Sequence, residues 1–115
     1  MLEINLETDQ SLPEVEVIRV EGRIDALSAS DFEEKIMPLA DTEFSSFIMD
    51  FKSLVYISSA GLRGILKFAK NCKANSKKIV LCNLAPEVYE VFKISGFDLI
   101  IKVCDDLDAA QNEVK

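Results

Sequence analysis

A chain of 115 residues with a formal charge of −7, from 20 acidic and 13 basic residues, is the size of one domain and repels polyanions. The expectation is one domain over residues 1–115 that folds alone, with no nucleic-acid or anionic-membrane partner, since 49% apolar against 29% charged residues is an ordinary globular balance. Histidine is absent, which removes most zinc sites and every Ser-His or Cys-His nucleophile pair.

Leu2, Ile4 and Leu6 alternate with Glu3, Asn5 and Glu7, the period-two pattern of a strand with one wet face. The start, Met1-Leu2-Glu3-Ile4-Asn5, has neither the basic residues nor the apolar run of a signal peptide. No apolar stretch approaches the roughly 20 residues of a membrane span, so a soluble, cytoplasmic protein without membrane insertion is expected. Thr8 to Pro13 is polar, ends in proline and reads as a turn. Val15 to Val20 is a second strand, closed by Gly22, and the short connection suits antiparallel pairing with the first.

Ser28 or Ser30 can cap the next helix, and Ser30-Asp31-Phe32-Glu33 has the spacing of a capping box. Ala29, Phe32, Ile36 and Leu39 share one face, and Pro38 predicts an end or kink just before it. Phe47 to Phe51, broken only by Asp50, reads as a buried parallel strand.

In Val55-Tyr56-Ile57-Ser58-Ser59-Ala60-Gly61-Leu62-Arg63, a β-rich run stops at two hydroxyls and a helical pattern begins. Leu62, Ile65, Leu66, Ala69 and Cys72 then recur at helical spacing to about Ala74, with Lys67, Lys70 and Lys73 on a solvated face. Asn75-Ser76 stops this helix. Lys78 to Cys82 is a strand, Pro86 opens a helix that runs through Val88, Val91 and Phe92 to a Gly96 cap, Leu99 to Val103 is a short strand, and Asp106 to Val114 a last helix. Such alternation gives an α/β fold with a mostly parallel sheet and right-handed crossovers. Cys72, Cys82 and Cys104 are widely spaced, two of them in apolar patterns, and are expected as buried free thiols.

The Ser58-Ser59 junction is where function is expected. A serine at the point where a strand feeds a helix sits beside unpaired backbone N–H groups and the positive end of the helix dipole, and negative charge is favoured there. One of the two serines caps the helix, a role compatible with phosphorylation of the junction. Asp25 with Ser59 does not make a hydrolase, because no base is placed to take the hydroxyl proton, so no enzyme is expected. Gly61-Leu62-Arg63-Gly64 matches neither G-x-x-x-x-G-K-[ST] nor G-x-G-x-x-G, and no cofactor or metal is expected.

These elements carry a resemblance. Gly22-Arg23-Ile24-Asp25 looks like the G-x-[LI]-D motif of the STAS domains, the family of bacterial anti-sigma factor antagonists and of the cytoplasmic tails of sulphate transporters. The usual helix-start hydroxyl follows at Ser28, and Met49 to Leu62 looks like the family's third strand, its loop and the D-S-[ST]-G-L phosphorylation motif. Ile79 to Leu84 with Pro86, Val88, Phe92 and Gly96-Phe97 resembles the fourth strand and its helix, so the match runs essentially end to end. The resemblance implies a sheet of about five strands, the first antiparallel, with about four helices.

It also implies an anti-sigma factor antagonist that regulates transcription. Ser59 would be the phosphoacceptor, and Asp25, Ser58, Ala60, Gly61 and Arg63 would lie on the partner surface. The implied partners are an anti-sigma factor with serine kinase activity, bound when Ser59 is unphosphorylated and released on phosphorylation, and a serine phosphatase that restores it; the free protein is expected as a monomer. Three positions depart from the motif: Ser58 replaces the usual acid, Ala60 the second hydroxyl and Arg63 a small residue. Ala60 leaves Ser59 as the single aligned acceptor, and Arg63, four residues on, could pair with a phosphate there. The alternatives are a constitutive adaptor subunit, as in a lipid-transport ATPase system, and a nucleotide-sensing domain.

Overall fold

The computed structural model describes residues 2–115. Strands β1 (Leu2–Thr8), β2 (Val15–Ile24), β3 (Ser46–Ile57), β4 (Lys78–Cys82) and β5 (Lys102–Cys104) form one sheet in their sequence order. The β1–β2 pair is antiparallel and every later pair is parallel, as the sequence led us to expect. Helices α1 (Ala29–Ile36), α2 (Ser59–Ala74), α3 (Pro86–Ile94) and α4 (Leu107–Val114) complete the α/β fold.

The strand order decides which face each helix covers. Right-handed crossovers between strands laid down in one direction carry their helices to one side. Accordingly Phe32 of α1, Ile65 and Phe68 of α2 and Phe92 of α3 pack on Ile18, Val20, Phe47, Met49 and Phe51. The opposite face, with Val15, Val17, Ile48, Val80 and Cys82, is covered by Ala110 and Val114 of α4. Gln111 of α4 also donates to Asp9 at 2.6 Å. Asp9 shapes the β1–β2 turn, its other oxygen accepting from the backbone of Ser11 and Leu12. Burial tends to raise the Asp9 carboxyl, and these hydrogen bonds outweigh it and hold it below the usual value.

Asp50, the break in the apolar run, is buried and fully partnered. Arg19 of β2 donates to it at 2.7 Å, Asn83 at 3.0 Å and the Lys52 backbone at 3.0 Å. Asn83 holds a left-handed backbone, φ 60°, immediately after β4, a conformation that asparagine tolerates better than most residues.

Four expectations need correction. β3 does not stop near Phe51 but runs to Ile57, without the loop that the resemblance implied. Its register against β2 shifts twice, so alternation fails beyond Phe51 and the outer half is hard to recognise as a strand. β2 likewise runs past Gly22, whose φ of 93° accommodates the second shift. The capping box at Ser30 does not form: α1 begins at Ala29, and Ser28 in the cap position turns its hydroxyl toward Asp25. Finally, β5 begins at Lys102 and not at Leu99. After Gly96, φ 75°, a 3-10 turn over Phe97–Leu99 leads to Ile100 and Ile101, whose backbone N–H groups both donate to the Phe97 carbonyl, which leaves Leu99 exposed. Other boundaries agree with the patterns. Pro38 lies in a 3-10 turn, Met37–Asp41, directly after α1, Pro86 is the first residue of α3, and α2 ends at Ala74. Cys72, Cys82 and Cys104 are buried and free.

Candidate functional site

The C-terminal ends of β2 and β3 lie side by side, with Ile24 opposite Ile57, and the chain leaves each toward a helix. Ser58 is the cap of α2. Its backbone is extended, φ −87° and ψ 169°, and its hydroxyl accepts from the Gly61 N–H at 3.2 Å while its carbonyl accepts from Leu62 at 3.0 Å. Ser59 and Ala60 therefore occupy the first two helical positions, whose N–H groups have no partner within the helix. Among the described residues the Ser59 hydroxyl has no hydrogen-bond partner, and Ser59 is exposed. No acidic residue occupies the first turn of this 16-residue helix, so no side chain of the helix itself offsets its positive end. The geometry offers one free hydroxyl next to two free donors.

The β2–α1 loop stands beside this helix start, joined to it by the Ser58 N–H, which donates to the Ile24 carbonyl at 2.7 Å. Asp25 organises the loop: one carboxylate oxygen accepts from the backbone N–H of Leu27 at 3.0 Å and of Ser28 at 2.9 Å. The Ser28 hydroxyl lies 3.0 Å from the same oxygen and accepts in turn from the Asp25 N–H. The Ser28 backbone and hydroxyl, with Leu27, hold the Asp25 carboxyl below its ordinary value. One of its oxygens is committed to the loop, and among the described residues the other has no hydrogen-bond partner.

The remaining predicted site residues separate into two kinds. Ala60 and Arg63 border a shallow depression between α1 and α2, lined also by Ala26, Ala29, Ser30 and the ion-paired Glu33 and Lys67. Arg63 is exposed and has no carboxylate within 4.0 Å among the described residues. Gly61, by contrast, is buried. A Cβ there would lie 2.6 Å from Ile24 Cγ2 and 2.9 Å from Ile57 Cγ1, so the glycine is what lets the helix start approach the strand ends.

Sequence reasoning missed an apolar element of this surface. Leu27 in the loop is 92% exposed and Val55 on β3 is 66% exposed, while Tyr56 carries the Arg23 guanidinium 4.6 Å above its ring. These side chains sit at the end of the sheet that bears Ser59. The sequence signal was weak: Leu54, Val55, Tyr56 and Ile57 read as one apolar run, and only the register shift after Leu54 turns the middle two outward.

Known proteins share this fold. The model of the STAS domain family matches residues 4–110. BtrV of Bordetella bronchiseptica, named as a candidate anti-sigma factor antagonist, is 37% identical over 91 residues, which cover 79% of this chain and 78% of BtrV. Among solved structures, an anti-sigma factor antagonist from Mycobacterium paratuberculosis superposes with a TM-score of 0.88 at 18% identity, over 99% of this chain and 94% of that one. The phosphorylated form of the Bacillus cell fate determinant SpoIIAA superposes at 0.71 with 23% identity, over 98% of this chain and 100% of its own.

Proposed function

The chain belongs to the STAS domain family, and on that premise we propose that it is an anti-sigma factor antagonist switched by phosphorylation of Ser59. One observation carries the reading: Ser58 does the capping, so the neighbouring hydroxyl is exposed and uncommitted at a helix start with no acidic residue in its first turn. In this reading the unphosphorylated surface, with Asp25, Ser58, Ala60 and Arg63 around Ser59 and the apolar side chains of Leu27 and Val55 beside them, binds an anti-sigma factor that is also the serine kinase. Gly61 serves the surface through packing.

A phosphate adds about −1.5 to −2 charges and must be stripped of water inside a contact surface, which disfavours the complex. The N–H groups of Ser59 and Ala60, together with the dipole of α2, can hold that charge without unfolding the domain. Arg63, on the same helix face and without a carboxylate partner, is a further counter-charge. The switch is thus local, and a serine phosphatase reverses it. That the same fold exists in a phosphorylated form, in SpoIIAA, supports the reading.

The test is phosphosite mapping on the protein recovered from its own cells in growth and under stress, paired with capture of bound partners by wild type and by Ser59→Asp. A phosphoryl group on Ser59 whose occupancy changes with condition, and loss of an anti-sigma factor from the Ser59→Asp capture, are expected. A permanently unmodified chain with unchanged capture would sink the switch and favour a constitutive adaptor.

A further inference from the structure

At the far end of α2 from Ser59, the helix faces the start of β4 and the segment that leads into β5. Between them lies an open groove of about 360 Å³ lined by Lys70, Lys73, Lys77, Lys78 and Lys102. Five of the chain's 13 basic residues thus meet in one depression of a molecule whose formal charge is −7. Glu113 supplies the one carboxylate of the lining, and Ala69, Ile79 and Ile100 give it an apolar part.

The five lysines form no ion pair among the described residues: none has a carboxylate oxygen within 4.0 Å, and the ion pairs use Arg19 and Lys67 instead. The ammonium groups of Lys77 and Lys78 donate to backbone carbonyls, of Thr42 and of Glu113 respectively, which fixes their position without cancelling their charge. Lysines in the last turns of a helix complement its dipole, and this accounts for Lys70 and Lys73. The Lys78 ammonium, reaching from β4, meets the last turn of α4 in the same way at the Glu113 carbonyl, whereas no helix end accounts for Lys102 on β5.

We infer that this groove is a second binding site, separate from Ser59, for a small molecule carrying two or more phosphate groups on an apolar body. Crowded like charges repel, and a polyanion is the ligand that turns the repulsion into attraction. The volume lies at the small end of the ~300–1,000 Å³ typical of small-molecule sites. Ala69, Ile79 and Ile100 offer a surface for the uncharged part of such a ligand, a surface that a bare inorganic anion would leave unused.

The experiment titrates the full chain at about 0.15 M salt with three probes in turn, inorganic tripolyphosphate, ATP without magnesium and a pentaglutamate peptide, by calorimetry and by amide chemical shifts. Saturable ATP binding tighter than roughly 1 mM, several-fold tighter than tripolyphosphate, is expected, with shifts at Ala69, Ile79 and Ile100. Lys73→Gln with Lys102→Gln should weaken it at least about tenfold, Lys73→Gln alone by less, and Ser59→Ala should change nothing. Absence of saturation, retention of affinity in the double variant or a preference for the peptide would overturn the site. Equal affinity for tripolyphosphate and ATP would overturn the apolar body.

Discussion

The Ser58 N–H donates to the Ile24 carbonyl at 2.7 Å, and this bond joins the Asp25 loop to the start of α2. Adjacent serines consequently have different duties, Ser58 being fixed on both its N–H and its hydroxyl and Ser59 on neither its hydroxyl nor a helical N–H partner. Ser58→Ala should cost about 1 kcal/mol, the usual loss for a capping hydroxyl. Ser59→Ala, at an exposed position that caps nothing, should stay within about 0.5 kcal/mol of wild type. Urea unfolding of the two variants checks this, and a larger loss for Ser59→Ala would reverse the assignment.

The two glycines of α2 predict opposite outcomes for the same chemical change. Gly61→Ala drives a methyl to 2.6 Å from Ile24 and should cost about 1–3 kcal/mol of overpacking. At Gly64 the added carbon meets nothing nearer than 3.6 Å, so Gly64→Ala should gain roughly 0.5–1 kcal/mol from helix propensity. Melting temperatures of the pair provide the measurement.

Glu16 sets a pH dependence. The side chain is buried in β2, its Oε1 has no hydrogen-bond partner among the described residues, and burial pushes the carboxyl above its ordinary 4.5. Between that value and the raised one the folded state binds more protons than the unfolded state, so this group's contribution to stability falls as pH rises through the window. Glu16→Gln should stabilise the protein at pH 7 and do so less near pH 4, where the carboxyl of the folded protein is mostly protonated. Unfolding at both values tests it, and an equal effect at the two would refute the origin in charge.

The thiols should be inert in the native state. Burial pushes Cys72 up to about 11 and Cys82 up to about 12, and raises Cys104 as well. At neutral pH a disulfide reagent should modify folded protein at least about 100-fold more slowly than a free thiol, and release all three cysteines once guanidinium unfolds the chain. One fast native equivalent would contradict the burial.

Much of the fold is legible where local rules and packing agree. The helical spacing of apolar residues from Leu62 to Cys72 announces α2, and Pro86 marks the first turn of α3 because its missing N–H costs nothing there. The outer half of β3 is not legible, since two register shifts break the alternation on which strand recognition rests. Nor is the start of β5, which depends on the Phe97 carbonyl drawing Ile100 and Ile101 into a turn. At the candidate site the strand-to-helix junction could be read directly. Which serine caps could not, because that follows from the extended backbone of Ser58. The lysine groove gathers residues from three regions of the chain, and no single stretch of sequence displays it.

Because every strand pairs with the strand preceding it in the chain, the sheet can be extended one strand at a time during synthesis, with the crossover helices docking on one side as they emerge. Only α4 closes the other side, so a nascent chain that lacks it leaves Val15, Val17, Ile48 and Val80 wet. The arrival of Ala110 and Val114, with the Gln111 hydrogen bond to Asp9, converts a sequentially built sheet into one cooperative unit.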